Sequence, residues 1–181
     1  NVALILHDNT MTSKNALNRP LHADKNDADL YLLKTIAFTH KKTPIKELNR
    51  FFLHEENRRE RLEYLKFSCD IDEIFYVATC NRIEFFFTTH HVLDTNFLRK
   101  FYRHFRTDWN TEEVDFALKY GEIYEGEDAL RHIYRVASSL DSLVIGEREI
   151  ITQVRKSYDT CKDEGLTGDM LRLVVKSTIT T

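Results

Sequence analysis

Apolar and polar positions alternate in a way that predicts strands and helices from about residue 30 onward. The mostly apolar run Leu33–Thr39 is typical of a strand. Thr43 followed by Pro44 is typical of a helix start, with the Thr43 hydroxyl as the N-cap. Residues 56–67 are heavily charged but keep an apolar side, and this pattern predicts a further helix.

Two more strands and another helix follow. The apolar residues of Glu73–Ala78 occupy both alternating sets, so we expect a central strand covered on both faces, followed by a strand over residues 83–88. Residues 94–106 carry an aromatic stripe opposite a basic side, which predicts a helix, and residues 116–120 fit a fourth strand. This order predicts an α+β fold, a ferredoxin-like split βαβ sandwich with helices on one face of the sheet.

After Gly126 the pattern becomes purely helical. Residues 129–137 and 147–164 are predicted helices, Gly165 is a natural stop, and residues 171–175 begin another helix. Residues 1–29 are largely polar and aperiodic, which predicts a disordered N-terminal extension.

Composition narrows the possible classes of protein. The net charge of −3 excludes a globally basic nucleic-acid binder, although a local basic patch remains compatible with it. The three cysteines form no CxxC pair, so the sequence indicates neither a zinc site nor a disulfide framework and favours a reducing, cytoplasmic setting. The sequence has no apolar run near twenty residues and no signal-peptide pattern, so we expect no membrane span and no secretion.

Cys80 is the candidate reactive residue, because it lies in the connection between two predicted strands. A guanidinium two residues away, on Arg82, would favour the thiolate, which is the reactive form of cysteine. Thr79 and Asn81 add a hydroxyl and an amide that can orient a polar substrate. Local chemistry leaves a second interpretation open, in which Cys80 is a small buried apolar residue.

Four segments in register resemble one known family. Their sequences are Ala78-Thr79-Cys80-Asn81-Arg82-Ile83-Glu84, His40-Lys41-Lys42-Thr43-Pro44, the helical stretch 131–142, and residues 143–150 with Gln153 and Val154. The first resembles the Thr-Cys-Asn-Arg-x-Glu signature of glutamyl-tRNA reductase, and the others resemble that family's His-Lys-x-x-Pro, central helical and Gly-Glu-x-Gln-Ile elements. Together they cover about residues 34–176.

The resemblance implies an enzyme at the start of tetrapyrrole (5-aminolevulinate, porphyrin and heme) synthesis. Such an enzyme reduces the activated carboxyl of tRNA-bound glutamate to glutamate-1-semialdehyde with NADPH. The cysteine thiolate attacks the aminoacyl ester, expels the tRNA and leaves a thioester, which hydride transfer then releases as the aldehyde. An ester to a ribose hydroxyl is activated enough for a thiolate to attack with little base assistance.

The resemblance also implies roles for individual residues. Cys80 is then the nucleophile and His132 a second catalytic residue. Without the resemblance, His132 is best interpreted as an ordinary hydrogen-bonded histidine of a helix. The implied substrate-binding residues are Thr79, Asn81, Arg82, Ser142, Glu147, Arg148, Glu149 and Gln153. The chain departs from the family at Glu149, where Gln is usual, and at Ser139 and Thr152, where Gly is usual.

Domains and partners follow from the same resemblance. Residues 1–29 would be an extension, 30–165 the catalytic domain that binds glutamyl-tRNA, and 166–181 the start of an interdomain linker helix. No GxGxxG follows a predicted strand, so we expect the NADPH-binding and dimerisation domains to lie outside this sequence, and the chain alone not to complete the reduction. The implied partners are glutamyl-tRNA(Glu), a second copy in a homodimer, and glutamate-1-semialdehyde aminomutase, with no membrane.

Two alternatives remain at the level of sequence. A non-catalytic ferredoxin-like RNA-binding module would display aromatic residues such as Phe85, Phe86 and Phe87 on an open sheet face. A regulatory amino-acid-binding domain of the same fold would not need Cys80. The basic side of helix 94–106 would either meet tRNA phosphates or be an ordinary solvated surface.

Overall fold

The computed structural model describes residues 29–138 and 149–180. Four strands form one sheet: β1 (Leu33–Thr39), β2 (Glu73–Ala78), β3 (Arg82–Thr88) and β4 (Glu122–Glu125). Their order is β2-β3-β1-β4, and every neighbouring pair is antiparallel. Because β3 lies between β1 and β2, the β1–helix–β2 unit is split, and the predicted α+β class is confirmed.

The described part of the chain contains seven α-helices. They are α1 (Ile45–Leu48), α2 (Glu55–Cys69), α3 (Thr95–Phe105), α4 (Thr111–Tyr120), α5 (Glu127–Ala137), α6 (Glu149–Asp163) and α7 (Asp169–Thr180). Two short 3-10 turns, Leu30–Leu32 and Asn49–Phe51, precede β1 and follow α1. Gly165 adopts φ = 75° just after α6, which confirms it as the stop. Within these ranges no helix has the length and apolarity needed to cross a bilayer.

One face of the sheet is packed with aromatic side chains. Phe85 of β3 contacts Phe101 and Phe105 of α3 in edge-to-face geometry, with ring centroids 5.3 and 5.2 Å away. Phe38 of β1 stacks on Phe51 at 3.6 Å. Rings in these arrangements gain attraction beyond the burial of apolar area. The hydrophobic stripe predicted for helix 94–106 therefore forms the core of this face.

The opposite face of the sheet is covered by the C-terminal helices. Phe75 of β2 meets Tyr158 of α6 edge-to-face at 5.8 Å. The Glu73 carboxylate at the start of β2 accepts hydrogen bonds from the backbone N–H groups of Gly168, Met170 and Leu171 at 2.7, 3.1 and 3.0 Å, and so caps the start of α7. The expectation of helices on a single face is thus incomplete, since the purely helical segment forms a second layer.

Three local expectations are wrong. Residues 116–120 form the end of helix α4, because Asn110 and Glu113 make a capping box and the apolar residues of this segment repeat at helical spacing. The fourth strand is β4, immediately afterwards. Strand β2 lies at the edge of the sheet, although both of its faces are covered.

The N-cap expectation at Thr43 is the third error. Pro44 occupies the N-cap position of α1, and the Thr43 hydroxyl is buried with no hydrogen-bond partner among the described residues. The prediction of an extension before residue 29 concerns residues outside the described ranges.

Candidate active site

The β2–β3 turn holds Cys80 at its apex. The Thr79 N–H donates to the Arg82 carbonyl oxygen at 2.9 Å, which closes the turn. The Thr79 hydroxyl oxygen accepts hydrogen bonds from the N–H groups of Asn81 and Arg82, both at 3.2 Å. Thr79 therefore acts as the internal brace of the turn, as Ser and Thr hydroxyls often do, and the exposed Cys80 side chain is carried by two rigid strands.

A second turn lies directly against the first. The His40 N–H donates to the Asn81 carbonyl oxygen at 2.9 Å. The N–H groups of Lys42 and Thr43 both donate to the Thr39 carbonyl oxygen, at 3.0 and 2.7 Å. The segment that we call the basic turn, residues 40–42, is thus closed on itself and attached to the residue that follows Cys80.

Arg82 is almost fully buried, and its charge is matched by a carboxylate. Its Nη1 donates to Oε1 of Glu84 at 2.9 Å. The two residues are neighbours on one face because side chains two apart along a strand point the same way. The guanidinium expected to favour the Cys80 thiolate is therefore engaged with Glu84.

Glu84 connects Arg82 to a residue far away in sequence. Its Oε2 lies 2.7 Å from Nε2 of His132 on α5, and its own side chain is 0% exposed. A hydrogen bond from an imidazole to an ionised carboxylate requires the proton on the nitrogen that faces it. The imidazole also stacks on Tyr124 of β4, with centroids 4.1 Å apart and an interplanar angle of 14°. We call Arg82, Glu84 and His132 the Glu84 network.

A cleft of about 130 Å³ opens beside this network. Its lining consists of Thr39, Lys41, Arg82, Glu122, Tyr124, His132 and Arg135. The Glu122 carboxylate is held by the Thr39 hydroxyl at 2.8 Å and the Tyr124 hydroxyl at 3.4 Å. A cleft lined by two arginines, a lysine and a histidine, with one acidic side chain, suits a small ligand that carries a carboxylate.

The three cysteines differ sharply in environment. Cys69 and Cys161 are buried, whereas Cys80 is exposed. Burial raises the pKa of the Cys69 thiol to about 11 and that of Cys161 to about 11, because a thiolate is poorly solvated there. The interpretation of Cys80 as a small buried apolar residue is therefore wrong.

The other predicted site residues are only partly described. Gln153 is half-buried on α6, the helix that packs on the sheet face carrying the Glu84 network. Glu149 begins that helix, but its side chain is not described. Ser142, Glu147 and Arg148 lie outside the described residues. Thr79, Cys80, Asn81 and Arg82 come together in one turn, and Glu84 joins His132 to Arg82.

The sequence analysis missed the residues that complete the site. Glu84 was recognised as part of a motif but given no role, although a carboxylate between Ile83 and Phe85 in an apolar strand is itself a signal. A buried carboxylate needs a hydrogen-bond partner. Glu84 has two, Arg82 and His132. Glu122 and Tyr124 carried no such signal, because the fourth strand was expected at residues 116–120, before either of them.

The described residues do not fit a dinucleotide cofactor such as NADPH. A dinucleotide needs a glycine-rich turn between a strand and a helix, whose N-terminus then binds the pyrophosphate. The nearest counterpart is Gly126, with φ = 59°, between β4 and α5. Helix α5 begins with Glu127 and Asp128, whose negative charges oppose a pyrophosphate at that position.

Fold and site together define a class: an α+β domain with an exposed thiol on a β-hairpin turn, beside a buried Arg–Glu–His network. Comparison with known proteins gives the family. The family model described as "Glutamyl-tRNAGlu reductase, N-terminal domain" matches residues 36–181, and the chain belongs to this family.

Individual relatives agree with this assignment. The chain is 31% identical over 146 residues to glutamyl-tRNA reductase of Streptococcus sanguinis, covering 80% of this chain and 34% of that protein. It is 34% identical over 142 residues to the Syntrophus aciditrophicus reductase, covering 77% and 33%. The solved structure of glutamyl-tRNA reductase from Methanopyrus kandleri superposes with a TM-score of 0.63 at 25% identity, covering 83% of this chain and 33% of that one. The chain thus spans about a third of the length of these relatives.

Proposed function

We propose that this chain performs the acyl-transfer half of glutamyl-tRNA reduction, with Cys80 as the nucleophile. The observation that carries the proposal is the placement of Cys80, the one exposed cysteine of three, at a braced turn beside the Glu84 network. Membership of the glutamyl-tRNA reductase N-terminal domain family supports it and supplies the electrophile, the ester of glutamate with tRNA.

The proposed step exchanges one acyl bond for another. The Cys80 thiolate attacks the ester carbonyl carbon and forms a C–S bond. The tetrahedral intermediate then collapses, the C–O bond to the ribose breaks, and the ribose oxygen takes a proton. The products are free tRNA and a glutamyl thioester on Cys80. A thiolate suits this reaction because it is strongly nucleophilic and the ester is already activated.

The Glu84 network would position the groups that meet the substrate. Glu84 fixes the orientation of both Arg82 and His132 through its two oxygens. We propose His132 as the second catalytic residue and Arg82, with Thr79 and Asn81, as contacts of the glutamyl group. The family resemblance adds Ser142, Glu147, Arg148, Glu149 and Gln153 to the proposed contacts.

The hydride half of the reaction is assigned to other residues of the enzyme. NADPH is the cofactor that the family implies, and the described residues do not fit it. In this proposal residues 30–165 are the catalytic domain and 166–181 lead into the linker. The homodimer, the contact with glutamate-1-semialdehyde aminomutase and the cytoplasmic location remain predictions.

Within the described residues, the sheet does not present the open aromatic face that the RNA-binding alternative requires. Phe85, Phe86 and Phe87 are all fully buried, since helices cover both faces of the sheet. Base stacking needs aromatic rings that are open to solvent. An amino-acid-binding regulatory domain could use the cleft, but it would leave the exposed Cys80 without a role.

Selective alkylation tests whether Cys80 is the reactive thiol of the three. We expect iodoacetamide at pH 7 to modify Cys80 much faster than Cys69 or Cys161, as measured by peptide mass spectrometry. A thiol of pKa about 11 is thiolate in only about one molecule in ten thousand at pH 7. Raising the pH to 9 should keep the selectivity, because both buried thiols stay protonated until the pH approaches their pKa values. Equal modification of the three cysteines in the folded chain would contradict the proposal.

Acylation tests the reaction itself. Glutamyl-tRNA, or the benzyl thioester of glutamate as a probe without tRNA, should add one glutamyl group to the intact mass of the chain. Cys80→Ser should abolish the thioester, whereas Cys161→Ser should retain it. A wild-type chain that alkylates at Cys80 but never acquires a glutamyl group with either reagent would refute acyl transfer.

A further inference from the structure

We propose that the basic turn, residues 40–42, binds the phosphate backbone at the 3′ end of the tRNA. This inference rests on the proposed function. The ester to be attacked joins glutamate to the ribose of the last nucleotide, so the terminal phosphates must lie close to Cys80 during the reaction. A segment attached to the reactive turn is therefore placed to meet them.

The attachment is a backbone hydrogen bond between the two turns. The His40 N–H donates to the Asn81 carbonyl oxygen at 2.9 Å, one residue after Cys80. The N–H groups of Lys42 and Thr43 hold the Thr39 carbonyl oxygen, which fixes the backbone of the basic turn. A prearranged turn loses little conformational entropy when it binds, which favours affinity.

The side chains of the basic turn have the chemistry of a phosphate site. Lys41 and Lys42 are both exposed, and Lys41 also lines the cleft beside the Glu84 network. Lysine ammonium groups bind phosphates as point charges and make affinity fall with salt. The buried Nδ1 of His40 has no hydrogen-bond partner among the described residues. Buried polar atoms rarely stay unpaired.

The basic side of α3 is the competing surface. Its Arg99 is already paired with Asp115 of α4, with the two charged groups 2.7 Å apart. Helix α3 also packs on the aromatic face of the sheet, opposite the face that carries the Glu84 network. Lys100 and Arg103 of this helix are exposed. They therefore provide a matched control with the same number of positive charges.

The experiment measures binding of uncharged, fluorescently labelled tRNA(Glu) by anisotropy at several salt concentrations. We expect Lys41→Gln/Lys42→Gln to weaken binding about tenfold at low salt and to reduce the slope of log K against log salt by about 1.4–1.8, or 0.7–0.9 for each lost phosphate contact. Lys100→Gln/Arg103→Gln should stay within about twofold of the wild type. Lys42 does not line the cleft, so the single variant Lys42→Gln should lose about half as much of the salt slope and leave acylation of Cys80 by the benzyl thioester of glutamate unchanged, as should the α3 control.

Each result has a distinct meaning. Unchanged tRNA affinity and salt slope in Lys41→Gln/Lys42→Gln, or an equal loss in the α3 control, would overturn the proposed phosphate site. Wild-type chain that shows no salt-dependent binding of tRNA would also overturn it. A wild-type chain that acquires no glutamyl group at Cys80 from the benzyl thioester or from glutamyl-tRNA would instead refute the proposed function. The benzyl thioester involves no tRNA, so that outcome is distinct from a failure of the phosphate site.

Discussion

The two faces of strand β3 have opposite chemistry. On one face Phe85 and Phe87 lie among the rings of α3, and on the other Arg82 and Glu84 make a buried ionic contact. Burying aromatic rings stabilises a fold directly. A buried ion pair seldom does, because desolvation offsets most of its attraction. We infer that one face of the sheet maintains the fold, while the other holds a polar arrangement that serves the site.

The two faces also differ in how their side chains are constrained. On the aromatic face, each ring contacts several other rings and no single contact is essential. On the polar face, each carboxylate oxygen of Glu84 has one hydrogen-bond partner. Replacing one member of such a pair leaves the other charge buried and uncompensated. The comparison predicts that substitutions on the aromatic face change stability alone, and that those on the polar face also change reactivity.

The largest effect on stability should come from the aromatic face. Phe85→Ala removes a fully buried ring and should lower the free energy of unfolding by about 4 kcal/mol in urea denaturation. Phe67→Ala is the matched control, because this phenylalanine is 89% exposed, and it should change stability by less than about 0.5 kcal/mol. A small loss in Phe85→Ala would show that the ring packing contributes less than the comparison requires.

Glu84→Gln should have the next largest effect on stability, about 3 kcal/mol, because the buried ion pair between Arg82 and the Glu84 carboxylate is lost. It should also slow formation of the glutamyl thioester on the order of 100-fold. Glu84 orients Arg82 and His132, and a small misplacement of groups that meet the substrate costs about two orders of magnitude in rate. Alkylation of Cys80 by iodoacetamide, which needs no positioned substrate, should stay near the wild-type rate. The double variant Arg82→Met/Glu84→Gln should be more stable than Glu84→Gln yet remain slow. Recovery of the acylation rate in that double variant would contradict a positioning role.

The smallest effect on stability should come from Glu73, which lies at the start of β2 and caps α7. Glu73→Gln removes the negative charge from the cap of α7 and should cost about 1 kcal/mol. Amide hydrogen exchange should become faster in α7, while α3 on the aromatic face keeps its protection. Asp169→Asn, at an exposed position of the same helix end, is the control and should change little. Equal acceleration in α3 and α7 would show that the two faces do not open separately.

The fold was largely predictable where the pattern of side chains was strong. The aromatic stripe of α3 and the apolar run of β1 identified these elements with nearly correct bounds. Strand β4 was misplaced because its sequence, Glu-Ile-Tyr-Glu, is short and half polar. The capping box of Asn110 and Glu113, which fixes α4 as a helix, is visible in the sequence, but the strand prediction used only the apolar residues from 116 onward.

In the site, only contacts between residues close together in the sequence were predictable. Cys80 and its neighbours form one turn, so their proximity followed from the sequence. The pairing of Glu84 with His132 spans 48 residues and depends on how α5 packs over the sheet. The stacking of His132 on Tyr124 depended on the strand that was misplaced. Tertiary packing, rather than any local pattern, therefore decides which charges meet at this site.

The brace inside the Cys80 turn also limits how an oxyanion can be stabilised there. Backbone N–H groups next to a nucleophile commonly form the oxyanion hole of acyl-transfer enzymes. Here the N–H groups of Asn81 and Arg82 are already bound to the Thr79 hydroxyl. A negatively charged tetrahedral intermediate on Cys80 would therefore draw its hydrogen bonds from groups other than these two. We expect Thr79→Val to release both backbone N–H groups from this hydrogen bond.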